Sequence, residues 1–263
     1  MLVFVVPVRH PGTVPDWAAV QARLHETARS IAAQDSRAWR AVVVAQAGAA
    51  LPSLPAGFEV RRVDVAPPEV APDATQQERY EAVRADKGRR VLAALPGTAG
   101  GDHVMTVDYD DWVSRRLAGT VEGHDGPGFY LGRGWRYDGG RFLSPVEAFH
   151  RVCGSSLIVR RSLLDVPDDV GQAGERAVRR HLGSHRFLPG DLQERGTPLA
   201  LLPYRGAVYR VGVAGSVTGA WGTAQWLSPR QLRHPRAYAR RLAALRPVRP
   251  AHRREFGLAP RGH

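Results

Sequence analysis

His103-Val104-Met105-Thr106-Val107-Asp108-Tyr109-Asp110-Asp111 is the stretch whose reading decides the fold. Residues 102–107 form a short run suited to a strand buried on both faces. Carboxylates follow at once, at 108, 110 and 111. Anions crowded this closely repel one another, and are tolerated where water or a cation neutralises them. A hard divalent ion such as Mg²⁺ or Mn²⁺ takes one or two carboxylates and completes its shell with phosphate oxygens. Open α/β sheets bind their ligands beyond the carboxyl ends of the strands, and a strand ending in this cluster delivers it there. The alternative is an acidic turn facing solvent. The apolar run before the cluster and the helix after it favour the metal.

Working outward, residues 2–8 are continuously apolar and read as a first buried strand. Residues 17–34 carry Val20, Leu24, Ala28 and Ile31 at helical spacing. Residues 39–45 and 58–65 read as strands, the Pro-rich stretch 66–74 as a loop, and 78–95 as a helix. Further on, the pattern predicts a helix at 114–121, strands at 128–136 and 141–143 joined by a turn at Asp138-Gly139-Gly140, and a strand at 155–159. A helix at 175–182, strands at 199–202 and 207–211, and a basic helix at 229–245 with an irregular tail complete the chain. Alternating strands and helices in the first half predict an α/β fold with a mostly parallel sheet flanked by helices. The hairpins of the second half predict a smaller antiparallel annex. Residues 1–228 would form one unit, with a nucleotide-binding half at 1–111 and an acceptor half at 112–228. Residues 229–263 would be a basic helix and tail.

No apolar run approaches the roughly 18 residues that span a bilayer. Residues 1–8 are short and are followed by Arg9 and His10, so they read as a strand rather than a leader, and a cytoplasmic location is the expectation. The one cysteine, Cys153, excludes an internal disulfide and argues against a thiolate zinc site. The formal net charge of +12 favours anionic partners. Much of it lies late in the chain, where contact with an anionic membrane surface is a further expectation, although that segment shows no clear apolar face. Lys87 is the only lysine, and a lysine before the acidic strand suits a phosphate as a point charge.

Five pieces, in this order, resemble glycosyltransferases of the GT-A fold, in particular family-2-like and rhamnosyltransferase-like enzymes. They are VFVVPVRHP (3–11), ETARSIAAQDSRAWRAVVVAQ (26–46), the KG of DKGRRVLAAL (86–95), VDYDD (107–111) and FHRVCGSSLIV (149–159). The resemblance covers about residues 1–211. It implies a Rossmann-like sheet, a nucleoside diphosphate sugar donor, an acceptor hydroxyl and a Mn²⁺ or Mg²⁺ cofactor, with no nucleic acid partner. It also implies roles. Pro7, Val8 and Arg9 would line the nucleotide pocket, with Arg84 and Lys87 near the base or diphosphate. Asp108 and Tyr109 would lie against the ribose or donor sugar, and Asp110 with Asp111 would hold the metal. Gly154, Ser155 and Trp112 would form part of the wall around acceptor and donor sugar.

Inverting enzymes of this kind carry an acidic pair before a late helix, and here that position falls near Ser184-His185. His185 could therefore act as the base, or ligate the metal through an imidazole nitrogen, with Asp191 as the second catalytic candidate and Glu194, Asp168 and Asp169 as rivals. The departure leaves retaining and inverting outcomes both open. Residues 67–77 or 213–226 are expected to close over the donor. Two other functions compete. A sugar nucleotidyltransferase wants a Gly-rich loop after the first strand, but PVRHPGTVPD (7–16) has one glycine and three prolines. A non-catalytic protein binding nucleic acid or another anion fits the charge, but no recognition module is present.

Overall fold

The computed structural model describes residues 1–71, 73–164, 172–211 and 235–258. The strands are β1 Leu2–Pro7, β2 Trp39–Gln46, β3 Phe58–Val63, β4 His103–Thr106, β5 Trp112–Val113, β6 Gly128–Tyr130, β7 Arg133–Tyr137, β8 Phe142–Glu147, β9 Leu157–Arg160, β10 Ala200–Leu201, β11 Ala207–Arg210 and β12 Arg246–Pro247. The α-helices, numbered here in chain order, are α1 Trp17–Ala32, α2 Gln76–Ala94, α3 Leu117–Val121, α4 Gln172–Ala177, α5 Leu188–Glu194, α6 Pro235–Ala244 and α7 Pro250–Glu255. A π-helical turn, Val178–Leu182, continues α4.

The fold is mixed α/β. Among the described residues, one sheet has the order β10-β6-β9-β4-β1-β2-β3. Its centre, β4-β1-β2-β3, is parallel throughout, and β9 is antiparallel to both β4 and β6. A smaller sheet runs β12-β8-β7-β11-β5 and is antiparallel except for the β7–β11 pair.

Strand alternation explains why the helices cover both faces. Leu2, Phe4 and Val6 of β1 pack with Val20, Leu24 and Ile31 of α1. Val3 and Val5 pack on the other side with Val91 and Ala94 of α2 and with Leu95 at its C-cap. Residues i and i+2 of a strand share a face, so a continuous apolar run serves two helix layers at once. The Asp16 carboxylate accepts from Ala19 N–H to start α1. Thr75 and Glu78 form a reciprocal capping box that starts α2 two residues earlier than its apolar spacing indicates.

Three other expectations change. The strand expected at 128–136 is two strands in different sheets. The break falls where Leu131 N–H bonds the Ser156 carbonyl and Gly134 lies against the Phe149 ring, leaving no room for a side chain. The tail expected to be irregular contains α7, and Phe256 behind it is fully buried with Trp112, Leu143 and Val208. The segment between 182 and 199, read without an element, contains α5. Residues 213–226, Asp168, Asp169 and residues 229–234 of the expected basic helix lie outside the described residues. Among those described, no helix is long and apolar enough to cross a membrane.

Candidate functional site

The chain passes from β3 through α2 to β4, crossing β1, so the crevice at the carboxyl ends of β1 and β4 is where the strand order reverses. A cleft of about 210 Å³ opens there. Pro7, Val8 and Arg9 line it from β1, Asp86, Lys87 and Arg90 from α2, and Asp108, Tyr109 and Asp110 from the loop after β4. Pro68, from the Pro-rich loop, adds an apolar wall.

Lys87 and Asp108 are paired, with Nζ 2.5 Å from Oδ1. Burial disfavours the lysine charge, but the Asp108 carboxylate overcomes it and holds the Lys87 pKa above its ordinary value. Gly154 faces this pair. A β-carbon there would come within 2.7 Å of Lys87 Nζ and closer still to Asp108 Oδ2. Glycine is therefore required here by close approach, and Gly154 also lines the small cavity that Lys87 and His185 share.

Beneath the pair, Asp111 is fully buried and turned inward. The Ser155 hydroxyl donates to its Oδ2 at 2.6 Å and the Cys153 thiol at 3.2 Å, while Arg210 N–H donates to Oδ1 at 3.2 Å. Ser155 Oγ also accepts the Asp108 N–H at 2.9 Å. Burial, with Asp110 and Asp108 nearby, raises the Asp111 pKa well above the carboxylate range. This corrects two expectations. Asp111 holds the loop's shape instead of facing a metal, and the buried Ser155 locks the loop to the start of β9 instead of lining a sugar site.

Asp110 does face the cleft. Burial, and then the Asp108 charge, push its pKa up to about 6, with Arg210 opposing. Burial and Asp110 raise the Tyr109 pKa, and Arg9 opposes them. Among the described residues no three carboxylate, histidine or cysteine side chains are grouped to hold a metal. Two carboxylates in one cleft, one of them destabilised by the other, still match the donor set of a divalent ion that takes the rest of its shell from bound phosphate.

Two cleft residues were not anticipated. Arg90 is 1% exposed, and its Nε and Nη2 clasp the Asp86 carboxylate at 2.9–3.0 Å. Its Nη1 has no partner. The sequence signal for them is an Asp and an Arg four apart on one helix face. Arg84 does not line the cleft. It pairs with Glu81 at 2.6 Å and lies 5.8 Å from the Phe187 ring, which corrects the expectation that it approaches the nucleotide.

His185 reaches the site because α2 and the π turn pack closely. A β-carbon on Gly88 would stand 2.5 Å from the Val178 carbonyl, and one on Gly183 would overlap the Arg84 carbonyl. The ring lines a small cavity shared with Lys87 and Gly154. Burial, and then the Lys87 charge, lower the His185 pKa to about 4, partly offset by Asp108 and by the Arg151 backbone. Its Nε2 has no partner. Asp191 is elsewhere. Its carboxylate is held by Arg180 at 2.7 Å and by His181 at 2.7 Å, and the Arg180 hydrogen bond is the main cause of its lowered pKa. That removes it as a base. Trp112 is also displaced from its expected place. It is buried against Tyr137, with the Arg210 guanidinium 4.8 Å over its ring, and lines a separate cavity.

No protein-family model matches this chain, and no curated protein does. Among solved structures, TarS of S. aureus is 14% identical with a TM-score of 0.40, the match covering 80% of this chain and 36% of TarS. IspD of Francisella tularensis, a 2-C-methyl-D-erythritol 4-phosphate cytidylyltransferase, is 12% identical with a TM-score of 0.42, covering 86% of this chain and 98% of that one. The glycosyltransferase GlyE of Streptococcus pneumoniae TIGR4 is 11% identical with a TM-score of 0.31, covering 76% of this chain and 45% of that one. This chain thus spans about a third of TarS and under half of GlyE. Likeness at this level assigns no residue a role.

Proposed function

We propose that the chain is a glycosyltransferase that moves a sugar from a nucleoside diphosphate sugar to an acceptor hydroxyl. The observation that carries this reading is the cleft at the β1/β4 crossover, whose lining combines the apolar Pro7, Pro68 and Val83 and the buried Arg90, with an unpartnered Nη1, with the charged Lys87, Asp108 and Asp110. A nucleotide needs those two environments side by side. The base enters between Pro7, Pro68 and Val83, where Arg90 Nη1 donates to its edge and Asp86 accepts from it. The diphosphate comes to Lys87.

Asp108 and Asp110 would hold a Mn²⁺ or Mg²⁺ ion, which when bound would supply positive charge against the departing diphosphate. Lys87 contributes a fixed positive charge at the same place, already oriented by Asp108. His185 is neutral at physiological pH and keeps a free acceptor nitrogen beside Lys87, so it can take the proton of the attacking hydroxyl.

Isothermal titration of UDP and GDP, with and without Mn²⁺, tests the reading. Binding should strengthen with the metal and lose that gain in Asp110→Ala. Failure of both nucleotides to bind in either condition rejects the assignment. Metal-independent binding that survives in Asp110→Ala but is lost in Lys87→Met leaves the cleft as a nucleotide site and removes the metal.

A further inference from the structure

Next to His185 in sequence, and separate from the small cavity that its ring lines, residues around Arg151 and Arg186 enclose a cavity of about 580 Å³. Tyr130 of β6, His150 and Arg151 of the turn after β8, Arg186, and Pro189, Gly190 and Gln193 of α5 line it. Its charge is one-sided: the lining contains two arginines and no carboxylate.

Some arginines of the adjoining helices are paired. Arg180 is held by Asp191, Arg84 by Glu81 and Arg89 by Glu175. Arg151 and Arg186 stand apart. Among the described residues, neither guanidinium has a hydrogen-bond or ion-pair partner. Two unmatched cations facing a single hollow whose lining holds no carboxylate form a place suited to an anion. The Tyr130 and His150 rings, edge to face with centroids 4.9 Å apart, give the cavity a rigid wall. Burial and the Arg151 charge keep His150 below its ordinary pKa, and its buried Nδ1 has no partner.

The cavity is tied to the base candidate at both ends. Arg186 follows His185 in the chain, and the Arg151 backbone is the hydrogen-bond partner of the His185 ring. A ligand seated on these guanidiniums therefore lies against the residues that fix His185. We propose that this cavity is the acceptor subsite and that the acceptor carries a phosphate ester, gripped by Arg151 and Arg186 while its hydroxyl is presented to His185. Arginine's planar fork matches phosphate oxygens in pairs. The volume lies within the range of small-molecule sites. The idea rests on the glycosyltransferase reading for the word acceptor, though not for the anion.

The test uses the full chain with its cleft saturated by nucleoside diphosphate and Mn²⁺. Glycerol 3-phosphate and glycerol are titrated in parallel, and vesicles of phosphatidylglycerol or phosphatidylcholine form a second arm. The phosphorylated probe, or the anionic vesicle, should bind where its neutral counterpart does not. Which arm responds tells a free phosphate ester from a lipid headgroup. In Arg151→Ala/Arg186→Ala, two changes at exposed positions, that binding should weaken at least tenfold. Equal binding of charged and neutral probes in both arms, or no loss in the double variant, overturns the proposal. Nucleotide titration of the wild type reports on the cleft separately. If nucleotide binds and no phosphate probe does, only this proposal fails. If a phosphate probe binds through the two arginines and nucleotide does not, the reading of the cleft fails and the anion site stands.

Discussion

The Lys87 ammonium and the Asp108 carboxylate meet at 2.5 Å because Gly154 leaves them room. One residue sits on the helix before the acidic strand, the other on the loop after it, and the glycine comes from the entry to β9. A methyl group at 154 has to push the pair apart or move the loop. Gly154→Ala should therefore weaken nucleoside diphosphate binding at least tenfold and cost about 1–3 kcal/mol of stability through overpacking. Calorimetric titration and thermal melting measure both. Wild-type affinity in this variant would show that the ion pair does not shape the diphosphate site.

The buried Asp111 makes a different prediction. Ser155 donates to its carboxylate and accepts the Asp108 N–H, so Ser155→Ala removes two hydrogen bonds at a fully buried position. An unsatisfied buried group costs about 1–3 kcal/mol. Urea unfolding should show a loss of at least that size, with nucleotide binding reduced only as far as the loop loosens. A negligible change in midpoint would mean that another group satisfies Asp111.

Much of this was legible in the chain, and the reason is periodicity. The apolar runs of β1, β2 and β4 and the spacing in α1 do not depend on distant residues, and they placed the parallel sheet and the acidic cluster at its edge. What was not legible depends on direction. Asp108, Asp110 and Asp111 look alike in sequence, yet Asp111 points inward because Ser155 and Cys153, more than forty residues away, offer it donors. Trp112 points to the second sheet because Val208 and Phe256 complete a core there. The split of β6 from β7 and the existence of α7 also rest on tertiary partners, Phe149 and Trp112, that no local pattern announces.

Arg90 offers a test of base recognition apart from phosphate recognition. Its clasp on Asp86 leaves only Nη1 for a ligand. Arg90→Met alone would strand Asp86, and breaking a buried pair costs several kcal/mol, whereas replacing both partners by apolar residues is far milder. The Asp86→Leu/Arg90→Met double variant should fold, bind nucleoside diphosphate at least tenfold more weakly, and bind inorganic pyrophosphate as before. Competition titrations with the two ligands separate these effects. An equal loss for both would place Arg90 at the phosphates, and no loss would remove it from the site.

His185 carries the sharpest dependence on pH. Its folded pKa of about 4 lies below the ordinary 6.5, so between those values the unfolded chain binds a proton that the native ring refuses. Stability contributed by the neutral ring is present above pH 6.5 and is lost as pH falls towards 4, by roughly 3 kcal/mol at the full extent of the shift. His185→Gln has no such proton to bind. Relative to that variant, the wild type should lose stability across this window, as denaturant midpoints measured at successive pH values will show. Parallel curves would mean that the ring titrates normally. The same shift separates catalysis from structure. If His185 takes the acceptor's proton, His185→Gln lowers the transfer rate by about 10²–10⁴ with little change in nucleotide affinity, and at saturating Mn²⁺ the wild-type profile shows no fall centred near the ordinary histidine pKa of 6.5. A variant that keeps the rate while losing the pH-dependent stability would leave His185 as a structural residue only.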